Sequence, residues 1–546
     1  MMQNLLLFLA GSLLSYAWLS PSYSYPWTSF NSDFASFTAG MALLLIVLFQ
    51  DLKVPRIQTW MFLVVTIPIV QWIVGLVSDF SIAFLSACYL FGFWIMIVLG
   101  FNLSLEPKQR ELLMQGFSNF TFKIAVVCSL MAILQWLHLE FYVYGIMQLY
   151  GNRPYANFGQ PNNLATFLIL GFLGGLYLFE KGKINSKTYI FYGCFILFAI
   201  TLTQSRTSWI VFIFVLIYFY YKSSLYGQQF KLKFYKLFIL ALGYFIFSGY
   251  LFSYISNWIE INTRVDIVHT FSIAERTSSG YERFGMWLQI LHAISQRPWL
   301  GYGWNQTSIA VVESIQFNTV HIWFNSAHNI LLDILVWNGI PLGGGIILYN
   351  IIWLFWLNKN AKDITSIIAI LMISAILIHA MFEFPQRYAC FLLPMGFLLG
   401  VIQAQTPNLK CVNLRKFVTR SVFYSGILLL LLIWRDCRFL QNNSQLIFRY
   451  KPVTATFLGS PKVLLLTQFQ KDLDWIAMST KTKLSDDELK RIDEMVKNKA
   501  TQYNLKKYAQ VLLFNGKKDE AKKQIVILEK LYNQKEDLDS INLTLN

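Results

Sequence analysis

Charged residues are scarce in this chain. Asp, Glu, Lys and Arg make up 14% of its 546 residues, whereas hydrophobic residues make up 55% and aromatic residues 17%. Because a soluble globular domain carries about a quarter of its residues as charges, this composition excludes the soluble class. Apolar stretches long enough to cross about 30 Å of hydrocarbon recur along the chain, which indicates a membrane protein with many spans.

The sequence also lacks several motifs of catalysis and transport. Its six cysteines show no paired short spacing, so they indicate neither a zinc site nor a disulfide framework. It has no glycine-rich loop that ends in lysine, and hence no sign of nucleotide-driven transport. The formal net charge of +16 falls mostly between apolar stretches and in the C-terminal tail, where membrane topology and anionic lipid explain it. We therefore expect no nucleic-acid partner.

The apolar stretches predict thirteen membrane spans and an all-α fold, with a transmembrane domain over 1–434. Lys-rich loops alternate with loops that carry only Arg, so the positive-inside rule places the N-terminus in the cytoplasm. An odd number of spans then places the C-terminus on the opposite side. The spans are predicted at 4–20, 35–50, 58–77, 80–101, 124–139, 164–180, 188–203, 208–221, 235–256, 330–357, 364–382, 388–404 and 418–434.

Two segments on the outer side are too long to be simple connectors. The first, 257–327, lies between spans nine and ten, and a loop of that length is usually functional. The second is the tail, 435–546. Within it, KNKATQYNLKKYAQVLLFNGKKDEAKKQIVILEKLY predicts two amphipathic helices joined at Asn515 and Gly516. We interpret the tail as a small periplasmic helical domain that resembles one tetratricopeptide unit.

The outer-side loops of the transmembrane domain contain arginine but no lysine. Arg is favoured over Lys where a planar fork binds phosphate oxygens in pairs, so several Arg around one cleft suit a pyrophosphate. The alternative is that these side chains reach lipid headgroups or pair with carboxylates of the same loops. Because no paired carboxylates occur on these loops, we expect no bound metal. The arginines are Arg153, Arg206, Arg264, Arg276, Arg283, Arg297 and Arg387.

A histidine at the start of span ten is the candidate catalytic base. His328 precedes a glycine cluster at Gly339 and 343–345 in FNSAHNILLDILVWNGIPLGGG. An imidazole at a membrane boundary can accept a proton from a hydroxyl near neutral pH. His321, seven residues earlier, is a rival candidate that would share a helical face with His328. The alternative is that a histidine near a helix start only caps or packs.

The turn before span six carries three side-chain amides. They belong to Gln160, Asn162 and Asn163 in GNRPYANFGQPNNLATF, residues 151–167. Amides can bind sugar hydroxyls or phosphate oxygens. The alternative role is helix capping, which needs only one of the three.

A second polar turn precedes span twelve. FEFPQRYACFLLP, residues 382–394, places Glu383, Arg387 and Tyr388 together at a membrane edge. The cluster is a candidate part of the site, although Tyr at this depth is often only an interfacial anchor.

These residues give the chain a family resemblance. It resembles the O-antigen ligase and polymerase superfamily in its many spans, its large outer loop with SSGYERFGMWLQILHAISQRPWLGYGW at 278–304, and His328-Asn329 followed by Gly339. Within that superfamily, NRPYANFGQPNNLATFL, FEFPQRYACFLLP and the helical tail resemble the bacterial O-oligosaccharyltransferases that glycosylate pilins and other periplasmic proteins.

The resemblance implies a glycosyltransferase of the Gram-negative inner membrane. The implied donor is an undecaprenyl pyrophosphate-linked glycan, whose reducing-end sugar is joined to an acceptor hydroxyl. We expect the glycan to be transferred en bloc and with inversion to Ser or Thr of a periplasmic or pilin-like protein. Neither a metal nor a cofactor is implied, and His328 is the implied base. The resemblance also implies that Gln160, Arg206, Arg283 and Tyr388 lie around the donor pyrophosphate and the acceptor. Taking all candidates together, we expect Arg153, Gln160, Arg206 and Arg283 at the donor pyrophosphate. We expect Asn162, Asn163, His321, Asn329, Arg387 and Tyr388 at the acceptor.

Three other functions stay open at this point. Two belong to the same superfamily: ligation of O-antigen to lipid A core, and polymerisation of O-antigen repeat units. The third is transport of a lipid-linked sugar, which would require charged residues inside the spans near mid-bilayer. The polar groups here gather at one face instead, which favours a transferase.

Overall fold

The computed structural model describes residues 2–21, 25–263, 267–268, 279–318, 320–450 and 463–536, and these residues are almost entirely helical. The helices are α1 Met2–Leu19, α2 Phe30–Ile46, α3 Arg56–Ile73, α4 Phe80–Leu103, α5 Pro107–Trp136, α6 Pro161–Glu180, α7 Ser186–Leu202, α8 Arg206–Tyr226, α9 Phe234–Ile246, α10 Phe252–Thr263, α11 Ser279–Gln296, α12 Thr307–Glu313, α13 Ile330–Asn360, α14 Ile364–Ala380, α15 Ala389–Gln403, α16 Lys416–Tyr450, α17 Thr467–Ala477, α18 Asp486–Asn498, α19 Gln502–Phe514 and α20 Lys518–Tyr532. A π turn, Phe247–Leu251, joins α9 to α10.

Each of the thirteen predicted spans coincides with one apolar helical segment, with α9 and α10 together forming the ninth. Within the described ranges, nine of these segments are long and apolar enough to cross a membrane, and α2, α7, α14 and α15 are shorter apolar helices. The predicted class, an all-α protein with many membrane spans, is therefore confirmed.

The two short strands join loops at one face of the helical bundle. β1, Leu52–Pro55, pairs antiparallel with β2, Cys411–Leu414, in a register that sets Leu52 opposite Leu414. This face also carries Lys53 and Lys410, whereas the polar turns before α6 and α15 lie at the opposite ends of their helices. Below, the two faces are called the basic face and the site face.

Helices α6, α14 and α15 form the centre of the bundle, because nearly all of their residues are buried. The packing of α15 on α4 is close enough to require glycine. A Cβ added at Gly400 would lie 2.1 Å from the carbonyl oxygen of Ile97. Small residues that let helix backbones approach in this way are typical of membrane interiors, where dispersion contacts hold helices together.

Helix α13 is broken at Gly339, where the backbone adopts φ 73° and ψ 175°. The loop before α12 satisfies the backbone groups that the break would leave unpaired. The amides of Tyr302 and Gly303 donate to the carbonyls of Val336 and Trp337, at 2.8 and 3.0 Å. The first section of α13, before the break, is thereby fastened to the large outer loop.

The tail packs on the outer loop and shares one hydrophobic core with it. Trp475, Leu512 and Leu528 of the tail belong to the same cluster as Ile290 of α11 and Val311 of α12. The two predicted tail helices are α19 and α20, which meet at Asn515 and Gly516 as expected. The tail therefore lies at the site face, against the loop that carries part of the candidate site.

Candidate functional site

A buried carboxylate, Glu383, lies at the centre of the polar residues on the site face. It follows the end of α14 and accepts hydrogen bonds from four side chains that come from three separate parts of the chain. The donors are Gln160 Nε2 at 3.1 Å, Asn162 Nδ2 at 3.1 Å, His328 Nδ1 at 2.8 Å, and the guanidinium of Arg283. Each carboxylate oxygen accepts one hydrogen bond from an amide and one from a cationic or basic side chain. All four side chains are therefore held around the Glu383 carboxylate.

The electrostatic balance at Glu383 favours the ionised form. Burial alone would raise the pKa of this carboxyl, but the hydrogen bond from His328 and the charges of His328 and Arg283 lower the pKa to about 2. Glu383 is therefore a carboxylate at every pH at which the protein would work. An ionised carboxylate only accepts hydrogen bonds, so His328 must carry its ring proton on Nδ1.

His328 therefore presents Nε2 as its basic nitrogen. Among the residues that the structure describes, none hydrogen-bonds to Nε2, and the His328 side chain is 25% exposed. The ring packs edge-on against Phe384, with 5.0 Å between the ring centroids. An imidazole that is oriented by a carboxylate on one nitrogen and open on the other is suited to accept a proton from a hydroxyl.

The backbone around His328 is held in a strained form. His328 has φ 50°, a left-handed conformation that non-glycine residues seldom adopt. Asp333, in the first turn of α13, accepts hydrogen bonds from the Ala327 amide and the Ser326 hydroxyl, and Asn329 caps the helix by accepting from the Leu331 amide. These contacts keep the loop in place, so the imidazole reaches Glu383 from a fixed backbone.

Two hydrogen-bonded side-chain pairs, one helical turn apart, connect α6 to α14 and the turn that follows it. Asn162 donates to Glu383, and one helical turn deeper Thr166 hydrogen-bonds to His379 Nδ1 at 2.9 Å. Residues four apart lie on one face of a helix, and both pairs follow that spacing. His379 is fully buried, and its backbone carbonyl accepts from the Glu383 amide. The hydrogen bond between Thr166 and His379 therefore holds together α6 and α14, the two helices whose ends carry Asn162 and Glu383.

Neighbouring side chains extend the polar surface along α6. Arg153 donates to the Asn162 carbonyl oxygen at 2.9 Å and to the backbone carbonyl of Thr203 at 2.8 Å. Tyr388 lies just before α15 and stacks on Phe384, with 6.4 Å between the ring centroids, and Phe384 in turn packs against His328.

Two family comparisons match consecutive parts of the chain. Residues 191–349, which include Arg283 and His328, match the O-antigen ligase family. Residues 367–541, which include Glu383, match the family described as virulence factor membrane-bound polymerase, C-terminal. The general O-oligosaccharyltransferase of Acinetobacter baylyi is 48% identical over 533 residues, which cover 98% of this chain and 93% of that relative. The chain belongs to the bacterial O-oligosaccharyltransferases. The resemblance seen in the sequence is thereby confirmed.

A second relative of this O-oligosaccharyltransferase is more distant. The ComP-specific O-oligosaccharyltransferase of Acinetobacter baylyi is 29% identical over 377 residues, which cover 68% of this chain and 66% of that relative. As a member of the family, the protein is a membrane-embedded glycosyltransferase, which transfers an oligosaccharide en bloc to protein.

Several residues expected at the site of the O-oligosaccharyltransferase lie elsewhere. His321 is exposed, and its Nδ1 is 2.8 Å from the carbonyl oxygen of Lys530 in the tail. Arg387 donates to the backbone carbonyl of Asn325 at 2.7 Å, and Arg297 pairs with Glu313. These side chains bind neighbouring parts of the protein, so the structure does not bring them to Glu383.

Two further placements complete the arginine set. Arg206 is the first residue of α8 and is exposed at the site face, next to the turn that carries Thr203. Arg264 and Arg276 lie outside the described residues. Asn329, expected at the acceptor, acts as the N-cap of α13.

The sequence indicated the turn of Glu383 but not its role. The available signal was an acidic residue alone among apolar and aromatic neighbours at the end of a span, where an ionisable group is costly unless it is paired. Thr166 and His379 gave no signal, since each looks like an ordinary residue within an apolar helix. Within the described ranges, no cluster of three or more His, Cys, Asp or Glu is arranged to hold a metal ion, and metal-free transfer stays a prediction.

Proposed function

We propose that this O-oligosaccharyltransferase takes its glycan from an undecaprenyl pyrophosphate carrier and attaches it to Ser or Thr hydroxyls of periplasmic proteins. The observation that carries the proposal is the hydrogen bond from His328 Nδ1 to Glu383, which leaves Nε2 as the base. Ser and Thr hydroxyls are scarcely ionised at neutral pH, so a positioned base contributes roughly a hundredfold to ten-thousandfold in rate.

The proposed reaction is a single inverting displacement. His328 Nε2 removes the acceptor hydroxyl proton as the oxygen attacks the anomeric carbon of the reducing-end sugar. The bond from that carbon to the pyrophosphate oxygen breaks, and undecaprenyl pyrophosphate leaves with the electron pair. Glu383 stabilises the imidazolium that forms, because a carboxylate beside a cation lowers its energy.

Arginine is proposed to neutralise the leaving pyrophosphate. Arg283 uses one terminal nitrogen on Glu383 and is 29% exposed, so the remaining N–H groups of its fork can reach a phosphate. Arg206 at the start of α8 and Arg153 beside Asn162 are proposed as further contacts, together with the amide of Gln160. With the developing negative charge balanced by guanidinium groups, the leaving group needs neither protonation nor a metal.

The acceptor contacts, the range of acceptor proteins and the orientation in the membrane are also part of the proposal. Tyr388 and Asn163 are proposed to orient the acceptor hydroxyl, since Tyr388 stacks on Phe384, the ring that packs against His328, and Asn163 follows Asn162 on α6. The relative that covers nearly the whole chain is named a general O-oligosaccharyltransferase, so we propose several acceptor proteins, including pilin-like ones, for this chain. The site face is proposed to be periplasmic and the basic face cytoplasmic, in the inner membrane of a Gram-negative cell.

Glycopeptide mass spectrometry tests the proposal. The protein is co-expressed with an undecaprenyl-linked glycan pathway and candidate periplasmic acceptors, and each acceptor is searched for Ser or Thr modified by the whole glycan. Wild type should modify them and His328→Ala should not, whereas His321→Ala serves as the matched control and should retain transfer. Glycan found on lipid A core instead of protein would contradict the proposed acceptor. Reporter fusions that place Arg283 in the cytoplasm would contradict the orientation.

A further inference from the structure

Helix α11 presents an apolar stripe that no described part of the protein covers. Phe284, Leu288 and Leu291 are 61%, 40% and 50% exposed, and their spacing of four and three residues puts them on one face of the helix. The opposite face, with Met286 and Ile290, is buried in the core that the outer loop shares with the tail. A helix that is apolar on both sides needs a second apolar partner.

The stripe continues onto the outer surface of the transmembrane domain. Trp299 and Leu300, just after α11, are about three-quarters exposed, at 75% and 72%. They sit against the break in α13, because the amide of Ile340 donates to the carbonyl of Pro298 at 2.7 Å. Ile340 is itself 53% exposed and belongs to a helix that is long and apolar enough to cross the membrane. The stripe is thus continuous with a lipid-facing surface.

The lengths of α13 and α14 give the depth in the membrane of Gly339 and Glu383, the two points that α11 contacts. From Lys359 at the basic face, α13 reaches Gly339 after twenty residues, which at 1.5 Å per residue is about 30 Å. From Asp363 at the same face, α14 and the turn after it reach Glu383 after another twenty residues, or about 30 Å. Because the hydrocarbon core is also about 30 Å thick, both points lie near its far boundary.

The start of α11 contacts one of these points, and the segment just after its end contacts the other. Arg283, near the start of the helix, binds Glu383, and Trp299, just past its end, lies against Gly339. A Cβ added at Gly339 would be 2.4 Å from the Trp299 carbonyl oxygen, so the contact is close. A helix whose two ends lie at the same depth runs parallel to the membrane plane.

We propose that α11 lies flat in the outer boundary of the bilayer on the site face, with its apolar stripe in the acyl chains of that leaflet. The occupant of the stripe is therefore lipid, and neither an acceptor protein nor a second copy of the chain. Interfacial helices of this kind bury their apolar face about 5–10 Å into the headgroup and acyl boundary, and Trp is enriched at that level. The position of the helix does not depend on the proposed reaction.

One consequence does rest on the proposed function. Arg283 neighbours Phe284 on α11 and would be held at the depth of lipid phosphates. The pyrophosphate of a lipid-linked donor lies at that depth already, so it would reach Arg283 by moving within the membrane plane.

Spin labelling tests the position of α11. Phe284→Cys, Leu288→Cys and Leu291→Cys are made in full-length protein whose exposed native thiol is removed by Cys194→Ser. Each variant is labelled with a nitroxide and placed, one copy per disc, in nanodiscs of phosphatidylethanolamine and phosphatidylglycerol. Collision with oxygen, which enriches in acyl chains, is compared with collision with a water-soluble nickel chelate. Glu282→Cys and Gln296→Cys are matched controls, since both positions are exposed but lie off the stripe.

The three stripe positions should collide at least several times more with oxygen than with nickel, and the two controls should show the reverse. The same ratio places the label at position 284 within the upper acyl layer. Nickel access at the stripe in single-copy discs would overturn the proposal, whether or not protection returns when acceptor protein or a second copy is added. Because the measurement needs no glycan transfer, a failure here and a failure of the proposed reaction are distinguishable.

Discussion

Replacing Glu383 by glutamine isolates the charge at the centre of the site. Glu383→Gln keeps the size of the side chain and one acceptor oxygen but removes the negative charge that His328 and Arg283 share. A charge-assisted hydrogen bond is typically worth about 1.5–3 kcal/mol. If that energy stabilises the imidazolium only in the transition state, its loss lowers kcat by about tenfold to 150-fold.

The assay is single-turnover transfer from purified lipid-linked glycan to an acceptor peptide, with the enzyme in nanodiscs and rates normalised to folded protein. Because Glu383 also holds Arg283 and Gln160, donor binding is measured in the same preparation, so that a loss of binding is separated from a loss of rate. A Glu383→Gln enzyme with full kcat would refute the pairing of Glu383 with the base. A matched control is Glu313→Gln. It removes an exposed ion pair between Glu313 and Arg297, which both lie on the large outer loop, and it should leave the rate unchanged.

The same variant makes a prediction about pH. The folded pKa of Glu383 is about 2, below its ordinary value near 4.5, so ionisation of this carboxylate stabilises the fold above that ordinary value. The contribution is lost as pH falls from about 4.5 towards 2. The difference in melting temperature between wild type and Glu383→Gln should therefore shrink as the pH falls below 4.

Four further variants, one control variant and one reagent extend these tests. Arg206→Lys and Arg283→Lys should each lose most activity at normal expression, because a point charge cannot reproduce a two-pronged contact to phosphate; full activity in both would remove them from the donor site. Thr166→Val should lower both melting temperature and kcat, since it leaves a buried imidazole nitrogen unpaired at a typical cost of about 1–3 kcal/mol. Thr121→Val, whose hydroxyl bonds only within α5, should spare the rate. Gly339→Ala should lower folded yield, because a left-handed backbone and a close carbonyl both oppose a Cβ. Activity that EDTA removes and magnesium restores would refute metal-free transfer.

The number and order of spans could be predicted from the sequence because a membrane imposes a length on every apolar helix. The ends of the helices could not be predicted as well as their positions. The span predicted at 124–139 belongs to α5, which begins at Pro107 and runs through the polar turns around Lys108 and Arg110. Straight-chain charged residues are good helix formers, so the helix continues outside the membrane where hydropathy gives no signal.

The four side chains that bind Glu383 were all candidates in the sequence, but the role of the carboxylate that joins them was not predicted. His328, Arg283, Gln160 and Asn162 stood out because polar side chains at span ends need a partner or a ligand. Glu383 is separated from Gln160 by 223 positions and from Arg283 by 100. Which carboxylate pairs with which donor was decided by the tertiary packing of α6, α14 and the outer loop, which no local pattern encodes.

His321 illustrates the limit of spacing arguments. Seven residues would put His321 and His328 on one face of a helix, but the segment between them is not helical, and both residues have positive φ. The seven-residue spacing therefore carries no geometric meaning, and the two imidazoles point to different partners, Lys530 and Glu383.

A paired measurement tests whether His328 is the base. Donor binding and single-turnover transfer are measured for wild type, His328→Ala and His321→Ala in nanodiscs. If His328 is the base, His328→Ala binds the lipid-linked donor as wild type does but transfers about a hundredfold to ten-thousandfold more slowly, while His321→Ala transfers at nearly the wild-type rate. Transfer abolished by His321→Ala and spared by His328→Ala would contradict that role.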